Sequence, residues 1–271
     1  MDWNKKMIKN AEIWIVSDVD GTLMDHSYDL TPAKETIIWL QRLGIPVILC
    51  TSKTKSEVKI IRDDLNLKDP YIVENGGAIY GEYSDGKEWK IILGKSYKIL
   101  EEILNNLSDN INFKLRPLNT LSDDEATNLT GLKGDSLDLM RDRHWSMPFL
   151  NPPDTFDEDL KRLCEIYDVD IFRGNRMSHL LSKNSNKGIA IKTLLNKNKN
   201  LNVQIIGLGD SPNDLPLLMN SNYKIVISGM KGPNQLLLNQ LKGNEFCISK
   251  NPHGYGWKEE VSKLVRKLLN K

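Results

Sequence analysis

Two aspartates, Asp18 and Asp20, follow a fully apolar run at residues 13–16 and stand directly before Gly21. A run that is apolar at every position is typical of a strand buried on both faces of a parallel sheet. The glycine indicates that the chain turns away at the carboxyl end of that strand, where open α/β sheets bind their ligands. Neighbouring carboxylates repel one another unless a cation lies between them. Taken alone, the pair fits a Mg²⁺ site and a plain polar turn equally well.

Composition narrows the class of protein. The chain has 271 residues, and its 37 Lys and Arg nearly balance 36 Asp and Glu, for a net charge of +1. This balance argues against a nucleic-acid or anionic-membrane partner. The three cysteines are far apart and odd in number, which predicts reduced thiols rather than disulfides or a zinc site. No apolar run is long enough for a membrane span, and residues 1–6 lack the apolar segment of a signal peptide. We therefore expect a cytoplasmic protein with a small-molecule partner.

Strand-like and helix-like segments alternate near both ends of the chain. Strands are predicted at 13–17, 46–50, 71–73, 203–208, 223–227 and 246–248, and helices at 31–43, 56–66, 187–195, 211–219, 233–241 and at the C-terminus. The middle of the chain breaks this rhythm, with helices predicted at 96–107 and 156–167 and strands at 111–115 and 169–172. The pattern predicts an α/β fold: a Rossmann-like parallel-sheet core of residues 1–82 and 184–271, with an α+β domain of residues 83–183 inserted.

Polar segments gather at the carboxyl edge of the predicted sheet. They are residues 18–22, Thr51 with Ser52, Lys187, and residues 209–214, which include Asp210, Asn213 and Asp214. Each segment alone is a weak signal. Together they bring carboxylates, a hydroxyl and an ammonium to one edge of one sheet.

Such a set suits the hydrolysis of a phosphate monoester, which needs acceleration of up to about 10²¹-fold. General acid–base catalysis supplies only about 10²–10⁴ of this, so a nucleophile and charge neutralisation are needed as well. Asp18 suits the nucleophile that forms an aspartyl-phosphate, and Asp20 the acid and base. Asp210, with or without Asp214, would complete a Mg²⁺ site with Asp18. Lys187 and the hydroxyl of Thr51 or Ser52 would orient the phosphoryl group.

The four segments, in this order, resemble the motifs of the haloacid dehalogenase-like (HAD) phosphatase superfamily. Asp-Val-Asp-Gly-Thr-Leu at 18–23 resembles the first motif, Thr51 or Ser52 the second, Lys187 the third and residues 209–214 the fourth. The resemblance implies that Asp18 is the nucleophile and a Mg²⁺ ligand, that Asp20 coordinates through its backbone carbonyl, and that Asp210 completes the metal site. It also implies that the insertion is a C2-type cap.

Finer features are similar to the mannosyl-3-phosphoglycerate phosphatases. They lie at 47–54, 73–78, 130–132, 173–179 and 207–214, and the most specific is Ser-Lys-Thr at 52–54, since generic sugar phosphatases of the superfamily more often have Thr-Gly-Arg at 51–53. One position differs: family members tend to have Ser-Glu-Pro where this chain has Met147 between Ser146 and Pro148. The resemblance implies Mg²⁺-dependent hydrolysis of mannosyl- or glucosyl-3-phosphoglycerate to a glycosylglycerate, which is a compatible solute. Two other functions stay open: a sugar-phosphate phosphatase of other specificity, and a phosphomannomutase-like isomerase.

The predicted substrate-binding residues are Thr51, Ser52, Lys53, Asn75, Gly76, Arg143, Arg176 and Asn213. The arginines suit oxyanions because guanidinium groups bind them through paired hydrogen bonds. Arg176 is favoured by its segment, whereas Arg143, like Arg141, fits a solvated face as well. Asn75 and Gly76 fit a tight loop near the substrate or an ordinary hairpin turn. His179 fits a polar site residue or a packed strand histidine.

Overall fold

The computed structural model describes residues 11–25, 27–174, 176–198 and 202–270. The expectation about a signal peptide concerns residues 1–6 and lies outside this range. The strands are β1 (Ile13–Ser17), β2 (Val47–Leu49), β3 (Tyr71–Val73), β4 (Ala78–Glu82), β5 (Glu88–Ile92), β6 (Met147–Leu150), β7 (Val169–Arg173), β8 (Met177–Ser182), β9 (Gln204–Gly209), β10 (Tyr223–Ser228) and β11 (Cys247–Pro252). The helices are α1 (Thr31–Arg42), α2 (Lys55–Asp64), α3 (Tyr97–Asn110), α4 (Asp123–Thr130), α5 (Asp135–Arg141), α6 (Asp157–Tyr167), α7 (Lys187–Asn198), α8 (Leu215–Met219), α9 (Gln235–Gln240) and α10 (His253–Leu269). Short 3₁₀ turns lie at Glu74–Gly76, Leu118–Thr120, Asp154–Phe156 and Pro212–Asp214.

The central sheet has five parallel strands in the order β11-β10-β9-β1-β2. Ser17, the last residue of β1, lies opposite Leu49 of β2 and Leu208 of β9. Because the strands are parallel and in this register, the segments that follow all three emerge at one edge. The predicted α/β class with a parallel sheet is confirmed.

Helices cover both faces of this sheet. The side chains of β1 alternate between two apolar layers, since Ile15 packs with Ile37 and Leu40 of α1 on one face. Trp14 packs with Ile191 of α7 on the other. A strand buried on both faces must be apolar throughout, which explains the unbroken run at residues 13–16.

A second, antiparallel sheet of β3, β4 and β5 continues from the central one. Cys50, after β2, forms a parallel bridge with Ile72 of β3. β5 pairs with β4 from Ala78 opposite Ile92 to Glu82 opposite Glu88. Residues 88–92 are therefore hydrogen-bonded to residues 78–82, which lie on the other side of the predicted domain boundary at 83. The division at 83 and 183 stays a prediction.

The inserted segment has its own antiparallel sheet, in the order β6-β8-β7, and its own core. Leu100 and Leu104 of α3 and Leu160 of α6 pack in one apolar cluster with Phe149 of β6. The segment is therefore an α+β layer, as predicted. The chain enters it after β5 and returns to the central sheet through α7. Across the described ranges, none of the helices combines the length and apolar character that a bilayer span requires.

Some predicted elements differ from the structure. The strand predicted at 111–115 is wrong: α3 runs to Asn110, Ile111 is its C-cap, and the chain then turns. The helix predicted at 211–219 is divided into the 3₁₀ turn Pro212–Asp214 and α8. Strands β4, β5, β6 and β8 were not foreseen. β4 and β5 form a local hairpin that was missed, whereas β6 pairs with β8 about 30 residues away along the chain.

Candidate active site

The segment after β1 turns sharply under the carboxyl edge of the central sheet. Asp18 still donates its backbone N–H to Leu208 of β9, at 2.9 Å, and is 4% exposed. Gly21 has φ of +80°, and a Cβ built there would lie 2.6 Å from Oδ2 of Asp210. Glycine is required at this position for both reasons, since the conformation is left-handed and the approach is close. This turn brings the first and fourth motifs together.

Lys187 lies at the start of α7 and is completely buried. Its Nζ is 2.6 Å from Oδ1 of Asp18 and 2.6 Å from Oδ1 of Asp214. Burial alone would lower the pKa of the ammonium, but the two carboxylates more than offset this and hold its pKa above the ordinary value. Lys187 is therefore a fixed positive charge between two carboxylates.

Asp214 is held on both of its oxygens. Oδ1 accepts the hydrogen bond from Lys187, and Oδ2 accepts from the backbone N–H groups of Asp210 and Ser211, at 2.9 and 3.0 Å. This side chain closes the turn after β9. Asp210 accepts a hydrogen bond from Thr22 Oγ1 at 3.0 Å, so its carboxylate points toward the first motif.

The cluster suits a divalent cation. One oxygen from each of Asp18, Asp210 and Asp214 lies within 4.8 Å of the others, and the ammonium of Lys187 pairs with Asp18 and Asp214, so among the described residues the three carboxylates here outnumber the ammonium groups paired with them by two. Burial and the charge of Asp214 raise the pKa of Asp18 from 3.8 to about 7. Burial, then Asp214 and Asp18, likewise raise the pKa of Asp210 well above 3.8. Crowded, buried carboxylates are the oxygen ligands that Mg²⁺ takes in proteins, so the residues fit this ion. The side chain of Asp20 lies outside the cluster.

Asp20 faces a cavity instead of the carboxylate cluster. Its side chain is 43% exposed, and Oδ2 lies 3.1 Å from Nζ of Lys53. Lys53 also lies 3.3 Å from Oε1 of Glu57. Burial would lower the pKa of Lys53, but Asp20 and Glu57 raise it above the ordinary value. Lys53 therefore contacts Asp20, the predicted acid/base residue. Lys53 itself was predicted only as a substrate-binding residue.

Thr51 and Ser52, after β2, lie beside Lys53 with different exposures. Thr51 is completely buried, and its Oγ1 accepts a hydrogen bond from the backbone N–H of Lys53 at 3.2 Å. Ser52 is half-buried and lines the same cavity as Asp20. Of the two hydroxyl residues, Ser52 is the one exposed to a substrate in that cavity.

Asn75, Gly76 and Asn213 meet next to Lys187. Asn213 donates a hydrogen bond from Nδ2 to Oδ1 of Asn75 at 3.2 Å, and both line a small recess with Lys187. Gly76 has φ of +100°, and a Cβ there would lie 2.3 Å from the backbone oxygen of Asn186. The loop thus packs on the start of α7 at the edge of the site and is more than an ordinary hairpin turn.

A cavity of about 580 Å³ separates the sheet edge from the inserted segment. Asp20, Ser52 and Lys53 line it from the core, and Arg143, Arg176 and His179 line it from the insertion. The predicted candidates from the two parts of the chain therefore face a common space.

The polar side chains of the insertion differ in their surroundings. Arg176 donates to the backbone oxygen of Thr130 at 2.7 Å. Arg141 is not among the residues that line the cavity; it is half-buried, pairs with Asp123 at 2.5 Å and donates to the backbone oxygen of Leu121 within the insertion. His179 is half-buried, and its Nδ1 is buried without a hydrogen-bond partner. Burial, and secondarily Arg143, lower the pKa of His179 from 6.5 to about 3, so the ring is neutral.

The position that departs from the family pattern does not face the cavity. Met147 is completely buried in the apolar core of the insertion, and its backbone pairs with Leu180 of β8. Its apolar character is explained by this burial.

Sequence reasoning missed Glu74 and Glu57. Glu57 pairs with Lys53 and lines the cavity. Glu74 is completely buried, and its carboxylate binds residues 144–146 of the insertion. The sequence signal for Glu74 was its place in the segment 73–78. A charged residue next to a buried strand is expected to be paired, because charged side chains are rarely buried without a partner.

A carboxylate cluster with a buried lysine lies at the carboxyl edge of a parallel sheet, next to an inserted α+β layer. This arrangement defines the class of hydrolases that carry a cap domain on a parallel-sheet core. Residues 15–144 and 135–229 match the family described as haloacid dehalogenase-like hydrolase, and this chain belongs to that family. This confirms the resemblance of the four motifs.

A relative from Persephonella marina (strain DSM 14350 / EX-H1) is named glucosyl-3-phosphoglycerate/mannosyl-3-phosphoglycerate phosphatase. It is 28% identical over 268 residues, which cover 94% of this chain and 97% of the relative. Among solved structures, Thermoplasma acidophilum 0175 has a TM-score of 0.67 at 20% identity and covers 92% of this chain and 96% of its own. A phosphatase of the haloalkanoate enzyme superfamily from Bacteroides thetaiotaomicron has a TM-score of 0.69 at 14% identity, covering 94% and 96%. These structures share the fold, inserted layer included.

Proposed function

We propose that the protein is a Mg²⁺-dependent phosphatase that hydrolyses glucosyl- or mannosyl-3-phosphoglycerate to the glycosylglycerate and phosphate. The observation that carries the proposal is the buried contact of Lys187 with Asp18, beside Asp210 and two residues from Asp20, which lines a cavity with two arginines. Membership of the hydrolase family supports the reaction type. The relative named above supports the substrate, and the cavity has room and cationic groups for a phosphorylated, carboxylate-bearing sugar.

Asp18 is the proposed nucleophile. One of its oxygens attacks phosphorus, the ester P–O bond breaks, and the oxygen on C3 of the glycerate leaves as an alkoxide. A water molecule then attacks the aspartyl-phosphate, which breaks the bond to Asp18 and releases phosphate. Splitting one difficult displacement into two is the advantage of covalent catalysis. Lys187, fixed between Asp18 and Asp214, holds the carboxylate in place and offsets charge that builds up on phosphoryl oxygens.

Asp20 is the proposed acid and base. Its exposed carboxyl faces the cavity, where the leaving oxygen and the attacking water must both pass. It gives its proton to the alkoxide in the first step and takes a proton from water in the second. The ammonium of Lys53, 3.1 Å from Oδ2 of Asp20, holds this carboxyl in position at the cavity wall.

Asp18 and Asp210 are the proposed side-chain ligands of Mg²⁺, with the backbone carbonyl of Asp20. Bound there, the ion would neutralise the phosphoryl oxygens during transfer. Both oxygens of Asp214 are already bound, to Lys187 and to two backbone N–H groups. We therefore assign Asp214 the role of holding Lys187 and the turn after β9.

The product would be a small glycosylglycerate whose sugar is uncharged and whose glycerate carries a carboxylate. We propose a role in compatible-solute synthesis in the cytoplasm. The three cysteines support a reducing compartment, since each is a free thiol.

The decisive experiment measures phosphate release by the purified protein from both glycosyl-3-phosphoglycerates and from a panel of hexose phosphates, with Mg²⁺ and with EDTA. We expect kcat/KM to be highest for a glycosyl-3-phosphoglycerate and activity to disappear in EDTA. Faster turnover of ordinary hexose phosphates would contradict the substrate and leave the reaction class intact. Interconversion of a hexose phosphate without net phosphate release would favour an isomerase.

A further inference from the structure

Glu74 connects the core to the inserted segment through a buried carboxylate. Oε1 accepts the backbone N–H of His144 at 2.9 Å. Oε2 accepts the N–H of Trp145 at 3.1 Å and the hydroxyl of Ser146 at 2.6 Å. Glu74 itself is 0% exposed. Since a buried charge is tolerated only with hydrogen-bond donors around it, these three donors are what allow the carboxylate to lie here.

The backbone of the same loop is tied to the second motif. Glu74 donates its N–H to the carbonyl oxygen of Lys53 at 2.9 Å, and Asn75 donates to that of Thr51 at 2.9 Å. Glu74 has φ of +49°, which is uncommon for a residue other than glycine. Such a conformation persists where the surrounding contacts impose it. The loop is therefore fixed to the active-site segment at its backbone and to the insertion at its side chain.

Arg143 is the end point of these contacts. Its Nη1 donates to the hydroxyl oxygen of Ser146 at 3.0 Å and to the carbonyl oxygen of Ser52 at 3.1 Å, and its Nε donates to Met140 at 3.1 Å. The guanidinium is thus held from the insertion and from the core, and it lines the cavity. It is 7% exposed, so it is not part of a solvated face.

The direction of the hydrogen bonds is determined by chemistry. An ionised carboxylate can only accept, so the hydroxyl of Ser146 must donate its hydrogen to Glu74. A lone pair of the same oxygen then faces Arg143, which can only donate. The pair Glu74 and Ser146 therefore presents one acceptor to the guanidinium, in one place.

We propose that Glu74 and Ser146 are positioning residues that hold Arg143 at the cavity wall, where its guanidinium binds a second anionic group of the substrate, separate from the transferred phosphoryl group. This rests on the proposed function and adds a specificity device to it. The second anionic group is the glycerate carboxylate in the substrates proposed above. A guanidinium with a preset orientation loses less entropy when it binds such a group.

The test compares two substrates on a set of variants. One substrate is the glycosyl-3-phosphoglycerate that the wild-type protein turns over better, and the other is p-nitrophenyl phosphate, which carries no second anionic group. For Ser146→Ala and Arg143→Lys we expect kcat/KM for the glycosyl-3-phosphoglycerate to fall about tenfold or more, through KM, as for loss of a hydrogen bond to a charged group. For p-nitrophenyl phosphate the loss should be clearly smaller than for the glycosyl-3-phosphoglycerate.

The double variant Arg143→Lys/Ser146→Ala separates positioning from a direct role. Because Ser146 acts through Arg143, its removal should add little in the Arg143→Lys background. Ser108→Ala is the matched control: Ser108 bonds Leu104 and Leu115 within the insertion and does not reach the cavity, so it tests general loss of stability. Glu74→Gln should behave like Ser146→Ala. An equal loss on both substrates, or an additive loss in the double variant, would overturn the proposal.

The outcome is separable from that of the proposed function. Should another sugar phosphate be preferred, the proposed substrate fails, and 3-phosphoglycerate, which keeps both the phosphate and the carboxylate, takes its place in the comparison. Calorimetric binding of 3-phosphoglycerate needs no turnover: Ser146→Ala should weaken it about tenfold relative to wild type and Ser108→Ala. Equal binding by all three proteins, or none by the wild type, would overturn the proposal.

Discussion

The ammonium of Lys187 and the carboxylate of Asp18 are in contact at 2.6 Å, and 169 residues separate them in the chain. Both are removed from water. An ion pair in this setting is costly to bury and costly to break, so its presence at the edge of the sheet points to a role other than stability. It fixes the orientation of one carboxylate relative to a cavity. Four of the predictions below concern this cluster and the carboxylate beside it.

Replacing the proposed nucleophile, Asp18, should abolish turnover. Asp18→Asn keeps the shape of the side chain but removes the charge that would attack phosphorus, and we expect kcat to fall by at least about 10⁴-fold, as for other nucleophiles. Phosphate release measures this, and thermal unfolding checks that the fold is retained. Activity within tenfold of wild type would contradict the assignment.

The effect of replacing Asp20, the proposed acid and base, should depend on the leaving group. Asp20→Asn should reduce kcat by about 10²–10⁴ for a sugar phosphate, whose alkoxide needs a proton to leave. For p-nitrophenyl phosphate the first step needs no proton, so the aspartyl-phosphate should form and then persist. A rapid burst of p-nitrophenol followed by slow turnover is the expected signature. Equal loss of burst and turnover would argue against the role.

Lys187 should matter for stability as well as for activity. Lys187→Met leaves Asp18 and Asp214 buried without their cation, and breaking a buried pair in this way costs about 3–5 kcal/mol. Urea unfolding measures the difference. Lys34→Met, which removes an exposed pair with Asp64, is the matched control and should cost at most about 1 kcal/mol. Similar losses of unfolding free energy in the two variants would contradict the prediction that Lys187→Met leaves buried carboxylates without a counter-charge.

Mg²⁺ should raise the unfolding temperature of the wild-type protein. An ion that binds only the folded state stabilises it by about 2.7 kcal/mol when the concentration of the ion is a hundred times Kd. Asp210→Asn should lose this gain. In EDTA the same variant should unfold at the wild-type temperature or above it, because burial, then the charges of Asp214 and Asp18, disfavour a charge at this position and raise the pKa of Asp210. Asp64→Asn, at an exposed site, should retain the full gain from Mg²⁺. A wild-type protein indifferent to Mg²⁺ would contradict the metal site.

His179 should make the protein sensitive to acid. Burial, then Arg143, lower its pKa from 6.5 to about 3, so the unfolded chain binds a proton between these values that the folded one does not. Its contribution to stability is therefore complete above pH 6.5 and is lost as the pH falls toward 3. Urea unfolding across pH 4–8 should show a smaller decline for His179→Gln than for wild type. His144→Gln, at an exposed histidine of the same layer, is the control. An unchanged decline in His179→Gln would contradict the prediction.

Local signals predicted the core of the site. An apolar run followed by Asp18, Asp20 and Gly21 marks the end of a buried strand, and the later segments with Lys187 and Asp210 follow from the same β-α rhythm. In a parallel sheet the strand ends share an edge, so the order of elements alone places these residues together. The same reasoning could not separate the roles of Asp210 and Asp214. That distinction depends on which oxygens of Asp214 are already hydrogen-bonded.

The cap was predicted as an α+β layer but not in detail. The strand expected at 111–115 is absent, and β6 and β8 pair across long stretches of sequence. Hydrophobic periodicity depends only on residues that are close along the chain, so it cannot show which distant segments pair as strands.

The sequence by itself determined the fold class, the sheet edge at which the candidate site lies and the chemistry that its carboxylates and lysine can perform. The reason is that strand ends and turns depend on residues that are adjacent in the chain. Tertiary structure alone decided what faces the cavity. Arg143 and Arg141 stand two residues apart and read alike in the sequence, yet one is held against Ser52 and the other pairs with Asp123 on the surface. Glu74 meets its partners across 70 to 72 residues of chain. Such contacts depend on how the inserted layer packs on the sheet, which no short segment of sequence contains.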